Sequence, residues 1–100
     1  MKVELYVVTS LLSKTEPNPE LEQLKGELCN KFGGLTVIDN CTGYWLNQNK
    51  VLEYDNVQIW RILTNEVITA KTMMQYAERL KSVCKQKVQL FTIGDMPYYV

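Results

Sequence analysis

The sequence predicts an α+β domain, a single antiparallel sheet with two helices on one of its faces. Three observations carry that prediction. Apolar residues alternate at a period of two near both ends of the chain and through its middle, as strands require. Two stretches of helical periodicity lie between them, the first opened by Asn18-Pro19-Glu20. The pair Gly33-Gly34 stops that first helix and turns the chain into Leu35-Thr36-Val37-Ile38, because glycine just past a helix accepts positive φ at no steric cost.

Taken in order, Lys2 to Ser10 reads as a strand with Val3, Leu5 and Val7 on one face and Glu4, Tyr6 and Val8 on the other. Leu11 to Pro17 is a loop. Asn18 then caps a helix, Pro19 suits its first position, and Glu20 and Glu22 complement its dipole. Leu21, Leu24, Leu28 and Phe32 form its buried stripe. After the glycines, Asp39-Asn40-Cys41-Thr42-Gly43 breaks the strand alternation and predicts a bulge or tight bend. Tyr44, Trp45 and Leu46 resume the extended run. Asn47-Gln48-Asn49-Lys50 turns it, and Val51 to Tyr54 returns, giving a long, bent hairpin whose second arm continues from Asn56 to Leu63.

Thr64-Asn65-Glu66 is a break. A second helix is predicted from near Thr69 to about Lys85, with Ala70, Met73, Ala77, Leu80 and Cys84 along one side. Val88 to Ile93 is the last predicted strand. Gly94-Asp95 turns the chain, and Met96 to Val100 is an apolar tail, expected either to cover the core edge or to add to a neighbouring subunit. The order β-α-β-β-α-β, with right-handed crossovers, is that of a single ferredoxin-like domain spanning residues 1–100. Such a sheet leaves its second face open. Tyr6, Val8, Ile38, Trp60 and Phe91 are the candidates for it, depending on register, and an apolar open face predicts a homo-oligomer packed through it.

Eleven basic and eleven acidic residues balance to no net charge, and neither half of the chain is polarised. This argues against nucleic acid and anionic membrane as partners. One hundred residues suffice for one modest core without metals or disulfides. The three cysteines, Cys29, Cys41 and Cys84, are odd in number and widely spaced, with no Cys-x-x-Cys. With no signal-peptide pattern and no apolar run of bilayer length, they predict a cytoplasmic protein with free thiols. No histidine is present, which removes the commonest general base and metal ligand. No phosphate-binding glycine motif occurs. Neither a metal nor a cofactor is therefore expected.

The stretch Phe32-Gly33-Gly34-Leu35-Thr36-Val37, with Gly43-Tyr44-Trp45 and then Glu53, resembles a group of small ferredoxin-like bacterial proteins without a settled activity. In them a Gly-Leu-Thr strand leads to a Gly-x-Trp hairpin and a downstream glutamate. The resemblance covers roughly a quarter of the chain and implies a fold and little else. The trimeric nitrogen-signalling proteins share the topology too, but their long nucleotide-binding loop has no counterpart here, so their ligand is not carried over.

Candidate ligand-binding residues cluster on the hairpin: Asn40, Tyr44, Trp45, Glu53 and Asp55. Tyr44 and Trp45 would wall a pocket, with Asn40 and Thr42 as hydrogen-bond partners. The competing reading makes Asn40 and Gly43 simple bend-formers and packs Trp45 on a helix. Asp39, Glu53 and Asp55 either converge as an acid–base pair or stand as solvated edge charges that discourage aggregation. Cys29 and Cys84 are expected to pack on apolar helix faces, and Cys41, in the bend, is the thiol most open to reaction. Ser13, Lys14 and Thr15 could meet an anion at the first helix's N-terminus.

The leading expectation for function is a non-enzymatic oligomeric module binding a small molecule or a protein partner. Two alternatives stand beside it. One is a small ferredoxin-like enzyme with Glu53 or Asp55 as base and Tyr44 as donor. The other is an accessory protein of a phage or mobile element that binds a host protein.

Overall fold

A computed structural model describes all 100 residues. Seven elements follow one another: β1 (Lys2–Val8), α1 (Pro19–Phe32), β2 (Thr36–Leu46), β3 (Leu52–Leu63), α2 (Ala70–Val83), β4 (Leu90–Ile93) and β5 (Met96–Tyr99). The five strands form one antiparallel sheet in the order β2-β3-β1-β4-β5. The fold is α+β, as the sequence predicts, with a strand more than expected.

Local chemistry explains the helix ends. The Asn18 side chain accepts from the Glu20 and Leu21 amides at 3.0 and 3.1 Å, and Gly33 closes α1 with φ 88°. Thr69 caps α2 by accepting from the Thr72 amide. Each helix buries one stripe, Leu21, Leu24 and Leu28 from α1 and Met73, Ala77 and Leu80 from α2. Both stripes join Val3, Leu5 and Val7 in one core cluster, so the two helices cover the same face of the sheet.

Register decides the rest of that face. Residues directly opposite in neighbouring strands share a face, and Leu5 lies opposite both Trp60 and Phe91. Trp60 and Phe91 are therefore completely buried under the helices, not on the open face where the sequence also allowed them. Tyr6, Val8 and Ile38 do lie on the open face: Tyr6 and Ile38 are both opposite Ile59, and Val8 is opposite Val57.

Two further expectations are corrected. The tail covers the core edge, as one of its two readings expects, with Tyr98 and Val100 packed against the core, but it does so as a strand of its own sheet rather than as an addition to a neighbouring subunit. Met96 to Tyr99 folds back as β5 on β4, through a two-residue turn whose first position, Gly94, has φ 58°. Phe91 then stacks on Tyr98 at 5.2 Å between ring centroids. Pro97 is tolerated because β5 is an edge strand. Cys29 is exposed rather than packed, since its position on α1 falls off the leucine stripe.

Between Asp39 and Gly43 the chain does not bend out of the sheet. β2 runs through as one strand with a bulge between Ile38 and Cys41, where Asn40 takes φ 58° and Asp39 Oδ1 accepts from the Asn40 amide at 2.8 Å. Beyond the bulge, β2 and β3 continue past the end of β1 as a two-stranded arm. Its tip is tied by Asn47, whose side chain accepts from the Asn49 and Val51 amides.

Candidate functional site

Two concavities meet at the root of this arm, one on each side of the sheet, and both are lined by Cys41 and Val57. On the open face a concavity of about 290 Å³ is bounded by Tyr6, Val8, Ile59, Leu90 and Val88, with Trp45 and Asp55 from the arm. Its lining is mostly apolar, and Asp55 is the one carboxylate in it. Asp55 is half-buried and lies directly opposite Gly43. A Cβ at Gly43 would already sit 3.3 Å from Val57 Cγ2, so the missing side chain is what leaves the space beside Asp55. An apolar cup with one placed polar group is the usual form of a small-molecule site.

A polar cluster borders the cup. Glu4 is buried on the open face, and its Oε2 accepts from Arg61 Nε and Arg61 NH2, both at 2.8 Å. Tyr6 Oη reaches Glu4 Oε1 at 3.4 Å. Burial first, then the Glu4 charge, raises the Tyr6 hydroxyl above the usual tyrosine range, so Tyr6 stays a protonated donor at neutral pH. Sequence reasoning missed Glu4 and Arg61. Their signal was the register itself, which places an acid and a base opposite each other on an otherwise apolar face.

The predicted site residues do not all converge. Trp45 lies opposite Glu53 and shares the open face with Asp55, two residues along β3. Tyr44 lies opposite Tyr54, with the two ring centroids 6.1 Å apart, on the other face of the arm from Trp45, yet it is among the residues that line the cup. Glu53 stays outside the cup and accepts from the Asn47 side chain at 3.3 Å. Asn40 lines the second concavity instead. Period-two alternation separates these residues: Tyr44 and Trp45 are adjacent and so must face opposite ways.

The second concavity, about 430 Å³, is polar and opens on the helix side. Lys14, Lys25, Glu16, Asp39, Asn40, Asn56 and Gln58 line it. The first helix's N-terminus offers it little. Asn18 already takes two of the free amides, and Ser13 Oγ accepts from the Thr15 and Glu16 amides, so the loop is satisfied within itself. Of the Ser13, Lys14 and Thr15 group expected to meet an anion, the hydroxyls and amides are thus engaged within the loop, and the Lys14 ammonium alone forms no ion pair.

No family model matches the sequence, and no curated protein matches it either. The fold has solved neighbours. One is a phage SAM lyase in complex with S-methyl-5'-thioadenosine, similar at a TM-score of 0.64 and 12% identity over 99% of this chain and 87% of that one. Another is a phage SAM lyase in its apo state, at a TM-score of 0.56 and 13% identity, covering 99% of this chain and 86% of that one. These neighbours overturn the expectation of a non-enzymatic module. That expectation leaned on the open apolar face, the aromatic bend and the absence of catalytic groups such as histidine, yet both of these neighbours are lyases, and not every reaction needs a histidine base. No helix is long and apolar enough to cross a membrane.

Proposed function

We propose that this chain is a lyase acting on S-adenosylmethionine and releasing S-methyl-5'-thioadenosine, on a ferredoxin-like frame lengthened by one edge strand. The observation that carries the reading is the cup on the open face: an apolar, aromatic-edged concavity with one carboxylate beside the space left by Gly43. Its chemistry fits a sulfonium nucleoside. The adenine ring takes apolar and aromatic surface, and the cationic end takes Asp55.

The reaction asks little acid–base work of the protein. The substrate's own carboxylate oxygen attacks the carbon γ to it, the bond from that carbon to sulfur breaks, and its electron pair passes to sulfur. A sulfonium and a carboxylate become a neutral thioether and a lactone, with no proton moved. A chain without histidine can host this step. An apolar, water-poor cup favours it, because charge disappears toward the transition state. Asp55 then binds and orients the cation, Trp45 walls the cup, and Tyr6 borders it with its hydroxyl turned to Glu4.

The same reading keeps a homo-oligomer through the open face. Tyr6, Val8, Ile59 and Leu90 stay only partly covered in one copy, and a neighbouring copy would close the cup to water. Native mass spectrometry reads this directly, and a monomer at micromolar concentration would remove that part.

The function is tested by incubating purified protein with S-adenosylmethionine and following S-methyl-5'-thioadenosine and homoserine lactone by mass spectrometry against a buffer control. Formation that scales with protein and disappears in Gly43→Leu supports the lyase. No product above the spontaneous background would sink it.

A further inference from the structure

The polar concavity on the helix side contains a carboxylate that is held in place from inside the core. Trp60 is completely buried, yet its indole Nε1 donates to Gln58 Oε1 at 3.0 Å. An indole nitrogen can only donate, so the Gln58 oxygen must face it and the Gln58 amide nitrogen must point away. It points to Asp39, where Nε2 donates to Oδ1 at 3.4 Å. The Asn40 amide, in its left-handed bulge conformation, donates to the same oxygen at 2.8 Å. Both donors use Oδ1, which leaves Oδ2 free to accept.

The cations of the concavity are divided in the same way. Lys25 is tied to Glu22 at 3.0 Å and sits 5.7 Å from the centroid of the Trp60 ring. Lys14 forms no ion pair. The concavity therefore offers the Asp39 carboxylate, with one oxygen free, and the unpaired Lys14 ammonium, on a lining that also carries Glu16, Asn40 and Asn56.

We propose that this concavity is a second binding site, separate from the cup, for the α-ammonium and α-carboxylate of a free amino acid, with Asp39 taking the ammonium and Lys14 the carboxylate. Gln58 is a positioning residue: it touches no ligand and helps the shorter Asn40 amide bond orient the carboxylate that does. A lone charge of either sign on a ligand would leave one of the two protein groups unmatched, so both ends of the zwitterion are required for full affinity. The volume, about 430 Å³, accommodates an amino acid with an ordinary side chain. This inference stands independently of the lyase reading, because the two concavities lie on opposite sides of the sheet.

The test is an NMR titration of ¹⁵N-labelled full-length protein with L-methionine. The Trp60 indole N–H and the Gln58 side-chain amide are the reporters, being two hydrogen bonds and one hydrogen bond, respectively, from the carboxylate. Saturable shifts of both signals are expected below about 10 mM ligand. N-acetylmethionine, lacking the ammonium, and methionine methyl ester, lacking the carboxylate, should each bind at least about tenfold more weakly. Asp39→Asn and Lys14→Met should weaken L-methionine to a similar degree while the remaining amide spectrum stays in place. Gln58→Glu, which keeps an acceptor for Trp60 but sets a like charge against Asp39, should also weaken binding.

Absence of shifts at both reporters, or binding that is indifferent to Asp39→Asn, would overturn the site. So would equal binding of the two blocked methionines. Product formation from S-adenosylmethionine in the same preparation is read separately. Loss of amino-acid binding with that reaction intact refutes this inference alone, and the reverse refutes the lyase alone.

Discussion

Arg61→Ala isolates the polar cluster at the rim of the cup. Glu4 is 8% exposed and its Oε2 depends on two Arg61 donors at 2.8 Å. Tyr6, at 3.4 Å from the other oxygen, is too distant to replace them. Removing one partner of a fully buried pair costs about 3–5 kcal/mol, because a charge is left without compensation. An exposed pair is worth about 0.2–1 kcal/mol. The Arg61 side chain is 36% exposed, which places this pair between those limits and sets the expected loss at about 2 kcal/mol. For a domain of this size that is a fall in Tm of roughly 8–16 °C. Urea unfolding followed by tryptophan fluorescence, with Trp60 buried in the core, gives the free energy directly. The double variant Glu4→Leu/Arg61→Met removes both charges and keeps apolar volume, so it should recover most of the loss. A single variant within about 0.5 kcal/mol of the parent, or a double variant as unstable as the single one, would refute the reasoning.

Five other outcomes follow, the first, second and last of them from the proposed lyase reaction and the others from the geometry alone. Gly43→Leu should fill the space beside Asp55 and abolish release of S-methyl-5'-thioadenosine, with a stability loss of about 1–3 kcal/mol as buried Val57 yields to the added side chain; equilibrium unfolding and product assay together check it. Asp55→Asn should raise KM about tenfold and lower kcat far less, since the carboxylate holds a charge that is being lost in the transition state; steady-state kinetics separate the two. Tyr6 has a raised folded-state pKa, so the stability it contributes is complete below about pH 10 and lost as the pH climbs through the folded value; Tyr6→Phe should flatten that alkaline limb in denaturation curves. Burial pushes the Cys84 thiol up to about 11, so a thiol reagent at pH 8 should titrate Cys29 and Cys41 in the native protein and Cys84 only after unfolding. S-methyl-5'-thioadenosine should slow the reaction of Cys41, which lines the cup.

The sequence by itself determined both helices, the first four strands and the core stripes of β1, α1 and α2, but not β5. Asn18, Pro19 and Gly33 bound the first helix through chemistry that acts within four residues, and period-two alternation in β1 named Val3, Leu5 and Val7 as core before any partner strand was known. The bulge was legible as a break in alternation at Asp39 to Gly43. Register was not legible, because it depends on which residues of distant strands come to lie opposite each other. Register buried Trp60 and Phe91 under the helices, set Glu4 against Arg61, and put Tyr44 on the opposite face of the arm from Trp45 and Asp55. It also divided the candidate residues between two concavities, sending Asn40 to one and Asp55 to the other. Short-range signals such as caps, turns and alternation are written residue by residue along the chain. A site made where four strands meet exists only after loop closure has brought together residues as far apart as Tyr6, Asp55 and Leu90, and no local pattern records that meeting.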